Sequence, residues 1–363
     1  MARIAFLLPD FTVGGAERVA LSLIKSFVKR GAEVDLVLVR AEGELLSELP
    51  AGVHVVSLRA KRLRGALGPF IRYLRERTPD VVHARMWPLT LVPIVARLLL
   101  GSRLRLVIAE DSILSHAYAR RGFLHRFALR GSIGMLYPLA DARVAVSNGA
   151  ADDLAGLGGL DRGSITVLHN PILPPRTEGA DQPVDWPGSG SHYLAVGNLI
   201  PVKDFGLLLT AFAKVRESRP AGLVILGDGD QRRELEALCA SLGIADCVSM
   251  PGFVDKPWPY YRSADALVMS SRHESFGNVL VEAMHEGVTP VSVDCPTGPR
   301  EILGDGRFGY LVPRDNVSAL AAAMTEAVDC PFVADKLKLR AEELSGTHVL
   351  NSYFDLLLSE GRS

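Results

Sequence analysis

Glu274 and Glu282 are the residues whose types and spacing point most directly to chemistry. Between them lies the run Ser275-Phe276-Gly277-Asn278-Val279, followed by an apolar stretch with helical spacing. A buried strand is predicted to end near Met269 and a helix to begin near Gly277, which places Glu274 in the connecting loop and Glu282 in the second helical turn. The N–H groups at a helix start attract an anion, and a glycine there leaves room for a phosphate. The pattern predicts an anion site between two carboxylates; the alternative is a capped helix with two surface glutamates.

Other short patterns are weaker indicators of chemistry. Gly14-Gly15 follows the first predicted strand, but its spacing fails the G-x-G-x-x-G dinucleotide fingerprint. Asp228-Gly229-Asp230 imitates a metal-binding Asp-x-Asp, yet it stands in a Gly-Asp-Gly-Asp run that is typical of a turn. The histidines and the four cysteines show no metal-ligand spacing. We therefore expect no metal ion and no cofactor, and we expect the thiols to be reduced.

The elements that must position these residues alternate short β-rich apolar runs with amphipathic helical stretches. Strands are predicted at 4–8, 34–39, 53–58, 81–84, 106–109, 144–146, 165–168, 193–196, 223–226, 248–250, 266–269 and 291–293. This alternation is typical of parallel sheets covered by helices. The sequence therefore predicts an α/β protein with two Rossmann-like, doubly wound domains that face a central cleft. Ligands are expected at the carboxyl ends of the strands.

The boundary between the two domains is predicted from proline content. Five prolines lie within residues 170–190, where neither a helix nor a central strand can continue. The predicted N-terminal domain spans residues 1–174, the linker 175–190 and the C-terminal domain 191–346. The tail beyond Pro331 reads as helical again, and a helix at about 347–363 is expected to pack back on the first domain.

The charge of the chain is distributed unevenly. The formal net charge is −1, but residues 1–175 hold 23 Lys and Arg against 15 Asp and Glu, and the remainder carries the opposite excess. A basic half indicates an anionic partner such as a lipid surface or a phosphorylated acceptor, or it is simply a solvated basic surface. Nucleic acid is not expected, because no basic motif is interleaved with aromatic residues.

The apolar segments give no sign of membrane insertion. The apolar run at the N-terminus is too short for a signal peptide and meets Asp10 at once. The stretch 89–100 is shorter than the roughly 20 apolar residues that a spanning helix needs, and it contains Arg97. A helix packed between two strands is expected there, with a helix lying flat on a membrane as the alternative. Cytoplasmic localisation is expected.

The whole set of motifs resembles the family-four retaining glycosyltransferases of GT-B fold. Glu274 and Glu282 match the Glu-x7-Glu signature of that family. The other landmarks occur in the family's order: Gly14-Gly15-Ala16-Glu17-Arg18, Val144-Ala145-Val146-Ser147, Leu168-His169-Asn170-Pro171, Val196-Gly197-Asn198-Leu199 with Lys203-Asp204, Leu226-Gly227-Asp228-Gly229, Gly252-Phe253-Val254 and Gly298-Pro299-Arg300-Glu301-Ile302. The resemblance covers nearly the whole chain.

The resemblance implies roles on the side of a nucleotide-diphosphate sugar. Lys203 would neutralise the departing diphosphate as a catalytic cation. Glu274, also catalytic, would bind hydroxyls of the transferred sugar, and Glu282 would accept from the ribose hydroxyls. Further donor contacts are expected from the glycine loop, the phosphate segment, the base pocket and the helix start, namely Gly14, Gly15, Asn198, Phe253, Phe276, Gly277, Asn278 and Val279.

Two departures from the family pattern affect these roles. Asn198 stands where the family usually has arginine, so one positive charge is missing; Arg272 or Arg300 are the candidates to replace it. Where many members place a histidine near the anomeric centre, this chain has Glu110-Asp111, with His116 further on. Asp111 is therefore a catalytic candidate. The acceptor-binding candidates are Glu17, Glu110, Asp111 and His116.

The resemblance implies retaining, metal-independent transfer of a sugar to a glycan or polyprenyl-diphosphate-linked acceptor in polysaccharide or glycolipid assembly. A uridine diphosphate donor is expected, with guanosine diphosphate left open. The basic N-terminal half fits a peripheral position on an anionic membrane surface. Two alternatives stay open: a sugar-nucleotide 2-epimerase of related fold, and a non-catalytic nucleotide-sugar-binding subunit.

Overall fold

The computed structural model describes residues 2–172 and 184–358. The chain divides into two compact units. The N-terminal unit holds the chain up to Pro171 and again from Thr347 onward, and the C-terminal unit runs from Ile172 to Gly346. The predicted α/β class is confirmed, because each unit is built on one parallel sheet flanked by helices.

Each unit has strands that run almost continuously through apolar sequence. Those of the N-terminal unit are β1 (Arg3–Leu8), β2 (Glu33–Leu38), β3 (His54–Ser57), β4 (Val81–Arg85), β5 (Arg105–Glu110), β6 (Ala142–Ala145) and β7 (Ile165–Val167). Those of the C-terminal unit are β8 (Ser191–Val196), β9 (Ala221–Leu226), β10 (Val248–Gly252), β11 (Ala266–Met269), β12 (Thr289–Val293) and β13 (Tyr310–Val312). Every strand predicted from the sequence is present, and β13 was not predicted. Continuous apolar runs form here because helices cover both faces of a parallel sheet.

Helices connect the strands in both units. They are α1 (Gly15–Lys29), α2 (Leu67–Arg77), α3 (Leu91–Leu100), α4 (Leu114–Ala117), α5 (Phe123–Leu136), α6 (Asn148–Gly158), α7 (Phe205–Ser218), α8 (Arg232–Ser241), α9 (Trp258–Ser263), α10 (Asn278–His285), α11 (Gly298–Ile302), α12 (Val317–Asp329), α13 (Ala334–Ser345) and α14 (Thr347–Leu358). The apolar stretch 89–100 forms α3, which lies in sequence between β4 and β5 and buries Val92, Ile94 and Ala96.

Both sheets reverse their strand order at the first strand. The orders are β3-β2-β1-β4-β5-β6-β7 and β10-β9-β8-β11-β12-β13, and every paired register is parallel. In such sheets the crevice beyond the carboxyl ends of the two strands at the reversal is the usual ligand site. These points lie between β1 and β4 in the N-terminal unit and between β8 and β11 in the C-terminal unit.

Helix α14 is an integral part of the N-terminal unit. Tyr353 is fully buried and packs edge-on against His83, with 6.1 Å between ring centroids. Phe354 packs on Phe27, and the backbone oxygen of Leu356 accepts from Arg105 at 2.9 Å. The unit therefore obtains part of its core from a segment that follows the whole C-terminal unit in sequence. Residues 359–363 of the helix expected at 347–363 lie outside the described residues.

The predicted linker differs from the structure at its C-terminal end. Trp186 stacks on His192 with 4.6 Å between ring centroids, and its indole N–H donates to Ser263 at 3.2 Å. Residues 184–190 therefore belong to the C-terminal unit, because an aromatic side chain and close backbone packing hold them there. The part of the predicted linker at 175–183 lies outside the described residues.

Among the described helices no single one is long and apolar enough to cross a membrane. The bent pair Val317–Asp329 and Ala334–Leu358, taken together, has the length and apolar composition of a membrane-spanning segment. Helix α12, the first segment of that pair, buries Leu320 and Met324 completely in the core of the C-terminal unit.

Candidate active site

The loops after β8 and β11 meet at the reversal point of the C-terminal sheet. The chain leaves β8 at Val196 and reaches Lys203 in a 3-10 turn before α7 begins. The hydroxyl of Ser270 donates to the backbone oxygen of Lys203 at 2.8 Å, and the backbone N–H of Arg272 donates to that of Val202 at 2.8 Å. These bonds fix the lysine loop on the glutamate loop.

Lys203 and Glu274 form an ion pair across this junction. The ammonium nitrogen lies 2.6 Å from Oε1 of Glu274, and the hydroxyl of Ser271 donates to the same oxygen at 2.7 Å. Their side chains keep 22% and 13% of their surface exposed. The structure thus brings together the two residues that the sequence proposed as catalytic in this unit, and solvent reaches the pair.

The backbone after Glu274 is shaped by two glycines. The backbone oxygen of Glu274 accepts from the hydroxyl of Thr297, and a Cβ at Gly298 would overlap the backbone oxygen of Phe276. Gly277 has φ of +109°, which L side chains rarely adopt, and it caps α10 without a side-chain hydrogen bond. The first turn of α10, with Asn278 and Val279, begins four residues after Glu274, and the helix dipole there favours negative charge.

Glu282 is held on α10 by an aromatic neighbour. Its Oε2 accepts from the hydroxyl of Tyr261, which is fully buried. Burial, and then the carboxylate of Glu282, hold the pKa of Tyr261 well above its usual range. The tyrosine is therefore a permanent donor that orients the Glu282 carboxylate.

The remaining donor-side candidates in this unit differ in exposure. Asn198 is exposed at the end of β8, and Phe253, after β10, is half exposed. The side chain of Phe276 is buried. The two arginines proposed to replace the missing family charge are each paired: Arg272 with Asp204 at 2.8 Å, and Arg300 with Asp294 and Asp305.

A second cluster lies at the carboxyl edge of the N-terminal sheet. Arg85 ends β4, is completely buried, and donates two hydrogen bonds to the two carboxylate oxygens of Asp111, which follows β5. Asp111 is 10% exposed. The structure places this catalytic candidate in a fixed orientation, held by an arginine that the sequence reasoning did not single out. A charged residue directly after the predicted strand 81–84 was the available signal.

The structure does not expose Glu110 to an acceptor. Its carboxylate is buried; Oε2 accepts from the backbone N–H of Trp87 at 3.1 Å, and Oε1 accepts from the hydroxyl of Tyr137. Burial is the main cause that raises the pKa of Glu110 to about 8, with a smaller contribution from Asp111. Its contacts are those of an interior residue that ties β5 to the loop after β4.

The glycine loop brings a further carboxylate to the same edge. Gly14 caps α1, Gly15 is its first residue, and Glu17 lies in its first turn, partly buried. Burial raises the pKa of Glu17, and the carboxylates of Asp111 and Asp10 raise it further. Glu17 and Asp111 therefore belong to one electrostatic cluster. His116 lies on the short helix α4 and is exposed.

In the C-terminal unit the sequence reasoning missed three supporting residues: Ser271, Tyr261 and Thr297. Each bonds to a glutamate on α10 or its preceding loop; Ser271 lies only three positions before Glu274, whereas Tyr261 and Thr297 reach their glutamates from more distant parts of the chain, which no local spacing indicates. Asp228 forms a turn contact, since it accepts from Gly229 N–H and from Arg232. Among the residues that the structure describes, no group of three or more His, Cys, Asp or Glu could hold a metal ion.

Two family models match the chain. Residues 13–174 match the model described as Glycosyltransferase Family 4, and residues 180–344 match the model described as Glycosyl transferases group 1. The two ranges together account for most of the chain.

Individual relatives match over similar lengths. The N-acetylgalactosamine-N,N'-diacetylbacillosaminyl-diphospho-undecaprenol 4-alpha-N-acetylgalactosaminyltransferase of Campylobacter jejuni is 27% identical over 88% of each chain. The lipopolysaccharide core biosynthesis glycosyltransferase LpsD of Rhizobium meliloti is 26% identical over 95% of each chain. The solved structure of Anabaena HepE in complex with UDP-glucose has a TM-score of 0.81 at 19% identity, covering 99% of this chain and 100% of its own. The last likeness shows the shared fold.

Proposed function

The chain belongs to the family-four glycosyltransferases of GT-B fold, and we propose that it transfers a sugar from a UDP-sugar to a lipid-linked glycan, with retention of configuration and without a metal ion. The observation that carries this proposal is the Lys203–Glu274 pair at the reversal point between β8 and β11, directly before the start of α10.

The donor diphosphate is proposed to bind at Lys203 and the first turn of α10. A lysine ammonium and a helix N-terminus both supply positive potential where negative charge develops on the leaving group. Since Lys203 is paired with Glu274, binding of the diphosphate must exchange one partner of the lysine for another. The released Glu274 carboxylate then accepts hydrogen bonds from hydroxyls of the transferred sugar.

The proposed reaction needs no dedicated base. The acceptor hydroxyl oxygen forms a bond to the anomeric carbon while the bond from that carbon to the diphosphate oxygen breaks. The departing phosphate oxygen takes the hydroxyl proton, and attack on the face from which it leaves keeps the anomeric configuration. Lys203 stabilises the diphosphate as it acquires charge, which is the electrostatic contribution expected from a positioned cation.

The proposed ribose contact rests on the Tyr261–Glu282 pair, and the choice of uridine over guanosine rests on one neighbour. A carboxylate oriented by a buried tyrosine is suited to accept from the vicinal hydroxyls of a ribose. HepE, which shares the fold, is described in complex with UDP-glucose.

The acceptor class is proposed from the relatives and from charge. The Campylobacter jejuni enzyme acts, by its name, on a diphospho-undecaprenol-linked sugar, and LpsD acts in lipopolysaccharide core synthesis. The basic N-terminal half fits a phosphorylated lipid carrier at the cytoplasmic face of a membrane. Within that half, Asp111, fixed by Arg85, is the acceptor-side carboxylate that we propose contacts the reacting hydroxyl.

A thermal-shift panel of nucleotide diphosphates and their sugars, run with EDTA and without it, tests the donor site. UDP and UDP-sugars are expected to stabilise the wild type saturably, by about 2.7 kcal/mol at a concentration of 100 Kd. Glu282→Ala should lose this stabilisation, and Glu236→Ala, at an exposed position on α8, should keep it. Stabilisation by no nucleotide in folded protein would contradict the proposal, and loss of the shift on adding EDTA would contradict metal independence.

A further inference from the structure

Helix α5 carries a group of large apolar side chains that no described residue covers. Phe123, Leu124 and Phe127 are 79%, 82% and 68% exposed. Burial of such side chains is favourable, so leaving three of them in water within five positions is costly. A contiguous exposed apolar group of this kind marks an interaction surface.

The three side chains form one face of the helix. Phe123 and Phe127 are four positions apart and stack with 6.3 Å between ring centroids, and Leu124 precedes Phe127 by three. The opposite side of α5 is anchored, because Leu129 and Ile133 are buried. The exposed face is therefore presented by a helix whose other side is fixed in the N-terminal unit.

The same region is strongly basic. The chain between Asp111 and Asp141 contains Arg120, Arg121, Arg126 and Arg130 and not one Asp or Glu. All four arginines are exposed, and none forms an ion pair with a carboxylate of the described residues. By contrast, Arg40, Arg97 and Arg162 elsewhere in this unit are each paired with an aspartate. The charge around the apolar face is thus available to an external anion.

We infer that this face of α5, defined by Phe123, Leu124 and Phe127 with the four arginines beside it, docks the protein on an anionic phospholipid bilayer. Phenylalanine and leucine on one side with arginine at the flanks is the composition of helices that lie in the membrane interface. The apolar side chains enter the boundary of the acyl chains while the guanidinium groups bind headgroup phosphates. A protein partner would need acidic groups for the arginines, whereas an anionic bilayer supplies both the charge and the apolar layer.

The purpose of this docking rests on the proposed lipid-linked acceptor, but the docking itself is independent of catalysis. It is therefore measured without donor or acceptor. Purified full-length protein is sedimented with vesicles of equal parts phosphatidylglycerol and phosphatidylcholine, and with vesicles of phosphatidylcholine alone. Wild type is expected to sediment with the first at low salt and to a much smaller extent with the second.

Two variants of α5 and one matched control assign the binding to this face. Phe123→Ser/Leu124→Ser/Phe127→Ser should lower the partition constant at least tenfold. Replacing the four arginines by glutamine should lower it roughly fivefold per residue, the fold-change that corresponds to about 1 kcal/mol, and should remove its salt dependence. Val333→Ser/Leu339→Ser, which removes two exposed apolar side chains of the C-terminal unit, should bind as wild type does.

The inference is overturned if wild type does not bind the anionic vesicles at low salt, or if the α5 variants bind as tightly as wild type. Binding of wild type to a soluble protein through α5 without any vesicle binding would also overturn it. The UDP-induced thermal shift is recorded on each variant. An unchanged shift with lost vesicle binding supports the docking surface, and a missing shift in wild type contradicts the proposed function without bearing on the surface.

Discussion

Both units place a basic–acidic pair at the carboxyl edge of their sheet, but they expose it to different extents. In the C-terminal unit, Lys203 and Glu274 keep 22% and 13% of their side-chain surface exposed and share one hydrogen bond. In the N-terminal unit, Arg85 and Asp111 are 1% and 10% exposed and share two.

The difference determines what each pair can do. A lysine is a point charge on a flexible stem, so it can leave a carboxylate for an incoming phosphate, whereas a planar guanidinium bound to both carboxylate oxygens gives up both bonds together. The C-terminal pair is thus suited to exchange partners with a ligand. The N-terminal pair is suited to hold Asp111 in one orientation.

The largest effect is expected when the buried pair is broken. Arg85→Met leaves the Asp111 carboxylate without its arginine in a mostly buried place, and removal of one partner from such a pair costs about 3–5 kcal/mol. The free energy of unfolding from urea titration is the measurement.

Arg40→Met is the matched control for that substitution. Arg40 pairs with Asp10 at 2.9 Å but is 55% exposed, so its loss should cost less than about 1 kcal/mol. Equal losses in the two variants would show that burial does not distinguish the pairs and would contradict the comparison.

A smaller effect, on binding instead of folding, is expected at the C-terminal pair. Lys203→Met removes a charged donor to the diphosphate and leaves Glu274 as an uncompensated negative charge beside it. Loss of such a hydrogen bond is worth about 1.5–3 kcal/mol, so the Kd for UDP should rise roughly 10- to 150-fold by calorimetry.

The double variant Lys203→Met/Glu274→Gln sharpens this prediction. It should recover part of the UDP affinity, because the repelling carboxylate is gone. Lys214→Met, at an exposed lysine of α7 bonded to Ser318, should leave the Kd unchanged. Unaltered UDP affinity in Lys203→Met would place the diphosphate elsewhere.

The fold was predictable because its signals are local. Apolar runs such as that of β1, and proline-rich breaks, depend only on neighbours in sequence. They were sufficient to predict every strand of the two sheets except β13. Strand β13 was missed: Tyr310–Val312 is only three residues long and two of them are only partly buried, although the equally short β7 was predicted. The C-terminal end of the predicted linker differs from the structure because the stacking of Trp186 on His192 is a contact that composition does not reveal.

The site was predictable as individual residues and not as contacts. Lys203 and Glu274 could each be assigned by resemblance, but their pairing joins positions 71 apart. Glu110 was expected beside the acceptor because Glu110-Asp111 stand where many members of the family place a histidine. Successive residues at the end of a strand point to opposite faces. Glu110 is bonded by Tyr137 and Trp87, and both of these partners come from other elements. Glu110 and Asp111, although adjacent in sequence, therefore have different partners: Trp87 and Tyr137 for the first, Arg85 for the second.

That separation predicts a pH dependence of stability that belongs to Glu110. Its pKa is raised to about 8 in the folded protein by burial, above the ordinary value of 4.5. The folded state therefore binds more protons than the unfolded state between these values, so stability is full below the lower value and is lost as pH rises through the higher one. The slope is at most about 1.4 kcal/mol per pH unit.

Glu110→Gln keeps an oxygen for the Trp87 N–H and offers its amide to the Tyr137 oxygen, so its stability should not show this decline. Urea unfolding of wild type and Glu110→Gln across this window measures the difference, with Glu236→Gln as the exposed control that keeps the wild-type profile. Parallel profiles for wild type and Glu110→Gln would show that the Glu110 carboxylate is ionised in the fold and would contradict this prediction.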